Sequence, residues 1–115
     1  MPPRNPRLAL AEKHCTPCHA GTPSLLEGEI IQRLKQIKGW KYADGFLQKN
    51  FPFKNYHHTI AFVNATAWIS HRENHHPDLE VHYNRCKVSY HTHAINGISE
   101  NDFICAAKIE KLLSL

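Results

Sequence analysis

From Glu80 to Thr92 the hydropathy pattern runs at period two, and from Ser99 onward it runs at helical spacing. Val81 and Tyr83 alternate with Glu80 and His82, while Val88, Tyr90 and Thr92 alternate with Lys87, Ser89 and His91. Successive strand side chains point to opposite faces, so each run specifies a half-buried strand that needs a cover on one side only. Asn84-Arg85 is the predicted hairpin turn. Ser99 with Asp102 three residues later forms a capping box, and Ile98 and Phe103 sit as a hydrophobic staple, so the following helix is predicted over residues 100–113.

The same grammar operates upstream. Ser24 and Glu27 predict a cap. Leu26, Ile30, Ile31, Leu34 and Ile37 then recur on one helical face, and Gly39 ends a helix predicted over 25–38. Trp40–Tyr42 and Phe46–Phe53 read as short strands around an Ala43-Asp44-Gly45 turn, with Pro52 at a strand end or edge. A helix is predicted over 56–74, with Ile60, Val63, Ala67 and His71 on one stripe widened by Phe62, Trp68 and Ile69, and Pro77 limiting it. The order is α-β-β-α-β-β-α. It predicts an α+β domain: a four-stranded antiparallel sheet with three helices packed on one face. An uncovered sheet face or edge favours self-association. At 115 residues the chain is one domain, placed at 12–115 behind a flexible tail over residues 1–11, where prolines and two arginines fall together.

Charge and cysteines narrow the function classes. The net charge of +4 includes Arg4 and Arg7 of the tail and forms no dense basic stripe, so no nucleic-acid footprint is read. No apolar run approaches the roughly 18 residues that span a bilayer, and no secretory core follows the start. A cytoplasmic protein with reduced thiols and no membrane partner is expected. Cys15-Thr16-Pro17-Cys18-His19 matches the haem-attachment pattern, and with Cys86, Cys105 or His14 it offers zinc ligands. The proline and the nearby glycine favour a plain structural turn.

Eight of the ten histidines lie between His57 and His93. Imidazole titrates near about 6.5, so such a cluster points to proton transfer or to a metal. His71 and His75 share a helix face and His91 and His93 a strand face, yet no carboxylate stands as in known metal motifs. Two adjacent histidines at a helix end cannot both enter the core. One or both then look into a cleft, where His93, at the end of a strand, can meet them.

The arrangement resembles the pterin-4a-carbinolamine dehydratases, also known as dimerisation cofactors of a homeodomain transcription factor. The resemblance rests on His75-His76-Pro77, Tyr83, His93 and Asp102 at their intervals, and on Thr92-His93 followed by Gly97-Ile98-Ser99-Glu100-Asn101-Asp102. The CxPC segment, the first helix and Gly39-Trp40 resemble the bacterial branch, so the likeness covers about residues 12–112. His71 departs from the acidic residue the family often carries there.

The resemblance implies the same α-β-β-α-β-β-α fold and the loss of water from a 4a-hydroxytetrahydropterin to give quinonoid dihydropterin. The resemblance puts that step in the recycling of the tetrahydrobiopterin cofactor of aromatic amino acid hydroxylases, which produce the carbinolamine. It implies His75, His76 and His93 as catalytic residues, with substrate resting against Asn74, His75, His76, His91, Thr92, His93 and Ala94. Asp102 is expected as a helix cap that also orients His93. No metal or redox cofactor is required, and a homodimer or homotetramer is expected. Loss of His75 or His93 is expected to cost about 10²-fold or more, and Asp102→Asn less. Two competing classes are a protein-binding or coactivator module, working through exposed apolar residues of the last two helices, and a metal-binding protein.

Overall fold

In a computed structural model, residues 9–114 are described. Helices α1 (Glu27–Leu34), α2 (Tyr56–Glu73) and α3 (Glu100–Leu113) alternate with strands β1 (Lys41–Ala43), β2 (Phe46–Pro52), β3 (Asp78–Val81) and β4 (Arg85–Tyr90). The sheet is antiparallel, in the order β1-β2-β4-β3. This is the α+β architecture and element order expected from the patterning.

Core side chains alternate along the central strands. Leu47 and Phe51 of β2, and Cys86, Val88 and Tyr90 of β4, are buried on the helix-covered face. Phe103, Ile104, Cys105, Ala106 and Ile109 of α3 close over them. Trp40 packs edge-on to Phe51, and its indole N–H donates to Glu110 Oε2 at 2.8 Å, which ties the start of β1 to α3. Lys49 reaches the same carboxylate oxygen at 2.6 Å.

Three local readings change. The first helix is capped at Leu26, not Ser24: the Leu26 N–H donates to Glu29 Oε1 at 2.8 Å. Ser24 instead packs on Gly97, where an added Cβ would collide with its hydroxyl. The third strand is Asp78–Val81, so Tyr83 lies in the turn and is exposed. The turn closes through the His82 N–H to the Arg85 carbonyl at 2.9 Å. Leu10 is buried and its 3-10 turn packs against α3, two residues ahead of the boundary at residue 12. Residues 1–8, most of the expected tail, lie outside the described residues.

The largest revision concerns α2. Its buried stripe is Thr59, Phe62, Thr66, Ile69 and Glu73, while Ala67, Trp68 and His71 are exposed. Two threonines and a glutamate disguised that stripe. In the fold the Thr59 hydroxyl is within reach of the Asn55 and Tyr83 carbonyls (2.9 and 3.0 Å), and Thr66 donates to the Val63 carbonyl at 2.7 Å. A bonded hydroxyl is tolerated inside at little cost, whereas in sequence it reads as a surface residue.

Candidate active site

Helix α2 ends at Asn74, which takes the left-handed conformation (φ 52°, ψ 43°) that asparagine tolerates better than most residues. The Asn74 and His75 N–H groups both turn back to the Ser70 carbonyl, and the chain reverses toward the sheet. This reversal lays the His75 ring parallel to Tyr90, with centroids 5.8 Å apart and planes 9° from parallel. Tyr90 is fully buried, so the imidazole rests on a fixed platform.

Beneath it lies Asp102, fully buried at the third position of α3. His75 Nε2 and Asp102 Oδ1 are 2.6 Å apart. The second carboxylate oxygen accepts from the Thr92 hydroxyl at 2.7 Å and from the Ser99 N–H at 2.9 Å. With Thr92 donating there, the Ser99 hydroxyl donates to Thr92 Oγ1 at 2.8 Å and itself accepts the Asn101 N–H at 3.2 Å. Every proton in this chain has one consistent direction. A buried carboxylate with three donors is held in place, and it fixes the proton of His75 on Nε2. Nδ1 has no partner among the described hydrogen bonds and is left for a ligand. Asp102 therefore caps the helix, as expected, but orients His75 rather than His93.

His93 opens a short 3-10 turn (His93–Ile95) after β4, which is closed by the Thr92–Gly97 bridge. Its ring is exposed. A cleft of about 410 Å³ separates it from His75, lined also by Asn74, Thr92 and Ala94. Five of the seven expected substrate-binding residues thus meet in one cavity. His76 is exposed and outside that lining. His91 is also outside it: its Nδ1–H donates to the Gly45 carbonyl at 3.0 Å, and its ring packs on Phe46 and edge-on to His93.

The remaining lining was not anticipated. Arg72 and Glu73 come from α2, Asn101 from α3, and Cys15, Thr16, Pro17 and Cys18 from the N-terminal segment. For the cysteines the signal is the CxPC pattern itself, whose proline and nearby glycine read as a structural turn. For Glu73 the signal was its place four residues after Ile69, on the buried stripe of α2. Cys15 and Cys105 Sγ lie 3.6 Å apart as free thiols. The hydrogen bond with Cys15, and then burial, push the Cys105 thiol well above its ordinary range. Among the described residues, no three His, Cys, Asp or Glu side chains converge as metal ligands would. No helix among them is long and apolar enough to cross a membrane.

Comparison with known proteins now decides the family. Residues 23–112 match the model of the family described as pterin 4 alpha carbinolamine dehydratase. The chain belongs to that family. A relative from Nitrosospira multiformis that carries the pterin-4-alpha-carbinolamine dehydratase name is 58% identical over 106 residues, which are 92% of this chain and 94% of the relative. One from Nitrosomonas eutropha is 56% identical over 105 residues, 90% of this chain and 93% of that one. By family the chain is a dehydratase, a hydro-lyase. A crystal structure titled transcriptional coactivator/pterin dehydratase, from Brucella melitensis, superposes with a TM-score of 0.75 at 29% identity, covering 78% of this chain and 98% of that one. A pterin dehydratase-like protein identified as a RuBisCO assembly factor in the alpha-carboxysome shares the fold, with a TM-score of 0.53 at 23% identity, covering 64% of this chain and 84% of that one. The family match starts after Cys18. A 106-residue match within 115 residues, in contrast, must include positions 10–106, and so the cysteine segment.

Proposed function

We propose that this protein dehydrates 4a-hydroxytetrahydropterins, with His75 as base and His93 as acid. The observation that carries the reading is the His75–Asp102 pair, 2.6 Å apart on the cleft wall facing His93. Elimination breaks the C4a–O bond and removes the N5 proton as the C4a–N5 double bond forms. The oxygen leaves as water once protonated, and nothing is oxidised or reduced. Hydroxide is a poor leaving group, so an acid at that oxygen lowers the barrier, and a base at N5 completes the exchange. Each role is worth typically about 10²–10⁴-fold.

The carboxylate under His75 suits it to the base role, because Nε2–H is committed to Asp102 and Nδ1 keeps its lone pair. His93 stands on the opposite wall with its ring accessible to the departing hydroxyl. His76, exposed beside His75, contributes to binding the pterin at the rim, and His91 supports His93 edge-on. Asn74, Thr92 and Ala94 shape the walls. The reaction needs no metal or redox cofactor. In the cell this activity would serve the recycling of tetrahydrobiopterin for aromatic amino acid hydroxylases, supplying the quinonoid dihydropterin that a separate two-electron reduction takes back to the cofactor, in the cytoplasm, from a homodimer or homotetramer.

The test follows absorbance of freshly generated 4a-hydroxytetrahydropterin with and without the protein, in the presence of a chelator. Acceleration that survives the chelator supports the reading. A rate equal to buffer alone, from folded protein, overturns it.

A further inference from the structure

The proposed mechanism leaves one wall of the cleft unexplained. Residues 13–18 cross its mouth as a strap, and polar contacts from two helices hold this strap along its length. Lys13 Nζ pairs with Glu100 at 2.8 Å. The Cys15 N–H donates to Glu73 Oε1 at 2.8 Å, and His14 Nδ1 lies 3.1 Å from the other oxygen of that carboxylate. Asn101 grips Thr16 twice: its Oδ1 accepts the Thr16 N–H at 3.1 Å, and its Nδ2 donates to the Thr16 carbonyl at 2.7 Å. Lys108 fastens the preceding turn through the Ala11 carbonyl at 2.8 Å and lies 3.6 Å from Glu73.

The two clamps are unusual side chains to spend on a terminal segment. Glu73 and Asn101 are both buried, and a buried carboxylate is costly unless well bonded. Burial alone would raise the Glu73 carboxyl, but the Cys15 N–H, His14 and Lys108 together bring it below its ordinary value. Both residues also line the cleft, one residue from His75's neighbour Asn74 and one from Asp102 respectively. Residues beside His75 and Asp102 in the chain therefore hold the strap in the cleft wall.

The Cys15 N–H and both backbone groups of Thr16 are committed to these clamps, and Asn101 Nδ2 also lies 3.5 Å from Cys18 Sγ. The Cys15 sulfur turns to the Asn101 carbonyl and to Cys105, so what remains for the cleft is the Thr16 side chain, the Pro17 ring and the Cys18 sulfur. Such a small, weakly polar surface suits the face of a flat heterocycle, with the Thr16 hydroxyl able to bond at its edge.

We infer that the Lys13–Cys18 strap is a substrate-binding wall of this site, covering the ring of the bound pterin, with Glu73 and Asn101 as its positioning residues. The inference rests on the dehydratase reading. The strap precedes the stretch that matches the family model but lies within the match to the Nitrosospira relative.

Two measurements test it. The first uses the unaltered protein and 7,8-dihydropterin, the stable tautomer of the product. At ligand about ten times its Kd, iodoacetamide labelling of Cys18, followed by mass spectrometry, should slow about tenfold. The second is Asn101→Ala, which releases Thr16. Its KM should rise about tenfold, the equivalent of about 1.4 kcal/mol, with kcat held within about threefold. If the native protein dehydrates its substrate but ligand leaves Cys18 labelled at the free rate, the strap is no wall and the inference falls alone. If the native protein neither binds the dihydropterin nor accelerates dehydration, the dehydratase reading falls and takes the inference with it. The labelling experiment stands even where Asn101→Ala fails to fold.

Discussion

Replacing Asp102 by asparagine changes one atom and tests the proton assignment of the site. Oδ2 of Asp102 receives two donors, Thr92 O–H and Ser99 N–H, so the amide oxygen of the substituted residue must stay there. The amide nitrogen then faces His75 Nε2 across the 2.6 Å gap. Two donors cannot share that contact. The imidazole has to give up the Nε2 proton and carry it on Nδ1, which turns the nitrogen left for substrate from acceptor to donor. Retaining both protons would set N–H against N–H instead. In either case His75 loses the base role while the cleft keeps its shape. General-base catalysis is worth about 10²–10⁴-fold, and a forced tautomer change in a serine protease triad costs about 10⁴-fold. Because His93 and the binding walls remain, the expected loss in kcat is about 10²-fold, comparable with His75→Ala. The sequence alone ranked it milder. Stability should also fall, by about 1.5–3 kcal/mol for a charge-assisted network reduced to neutral bonds, on the order of 10 °C in Tm. The assay is stopped-flow dehydration per folded molecule, well below the lowered Tm. A kcat within about threefold of wild type, alongside a crippled His75→Ala, would refute the tautomer argument.

Other outcomes follow from the same geometry. His93→Ala should lower kcat by about 10²-fold, whereas exposed His76→Ala should act mainly on KM; steady-state kinetics separate the two. The Tyr90 hydroxyl is the buried side-chain polar atom without a hydrogen-bond partner among the described residues, and burial holds its phenol well above the ordinary range. Tyr90→Phe keeps the ring under His75 and removes an unsatisfied group, so thermal melts should show Tm unchanged or raised, and a fall of several degrees would mean the hydroxyl has a partner. The Glu73 carboxyl lies below its ordinary 4.5, so its ionised form adds stability above that value and loses it as pH falls through the lower, folded value. The Tm gap between wild type and Glu73→Gln should accordingly be widest near neutrality and close in acid, and a gap independent of pH would show that the charge contributes nothing.

Much of the fold was legible because its signals are local. Ser99, Asp102 and the Ile98–Phe103 pair announce α3, and the alternation from Cys86 to Tyr90 announces a one-sided strand. The candidate site was legible in part for a different reason: the family pattern named His75 and His93, which the fold sets on the walls of one cleft, and Asp102, which it buries behind His75. What failed to show were relations between distant segments. Nothing at Asp102 says that its second partner is His75 rather than His93, because that depends on how Asn74 reverses the chain at the end of α2. Glu73 looked like a surface residue at a helix end, since its partners lie near the N-terminus, and the stripe it belongs to carries Thr59 and Thr66, whose hydroxyls are satisfied only in the folded chain. The CxPC segment carried a pattern with several readings, and only its contacts with Glu73 and Asn101 select one.

The most direct test of the proposed catalysis is the single-turnover rate of dehydration of freshly generated 4a-hydroxytetrahydropterin by the wild-type chain and by His75→Ala in parallel. The wild type should far exceed the buffer rate, and the variant should retain about one hundredth of that acceleration or less. Equal rates for the two folded proteins would contradict the assignment of His75, and a wild-type rate no faster than buffer would contradict the activity itself.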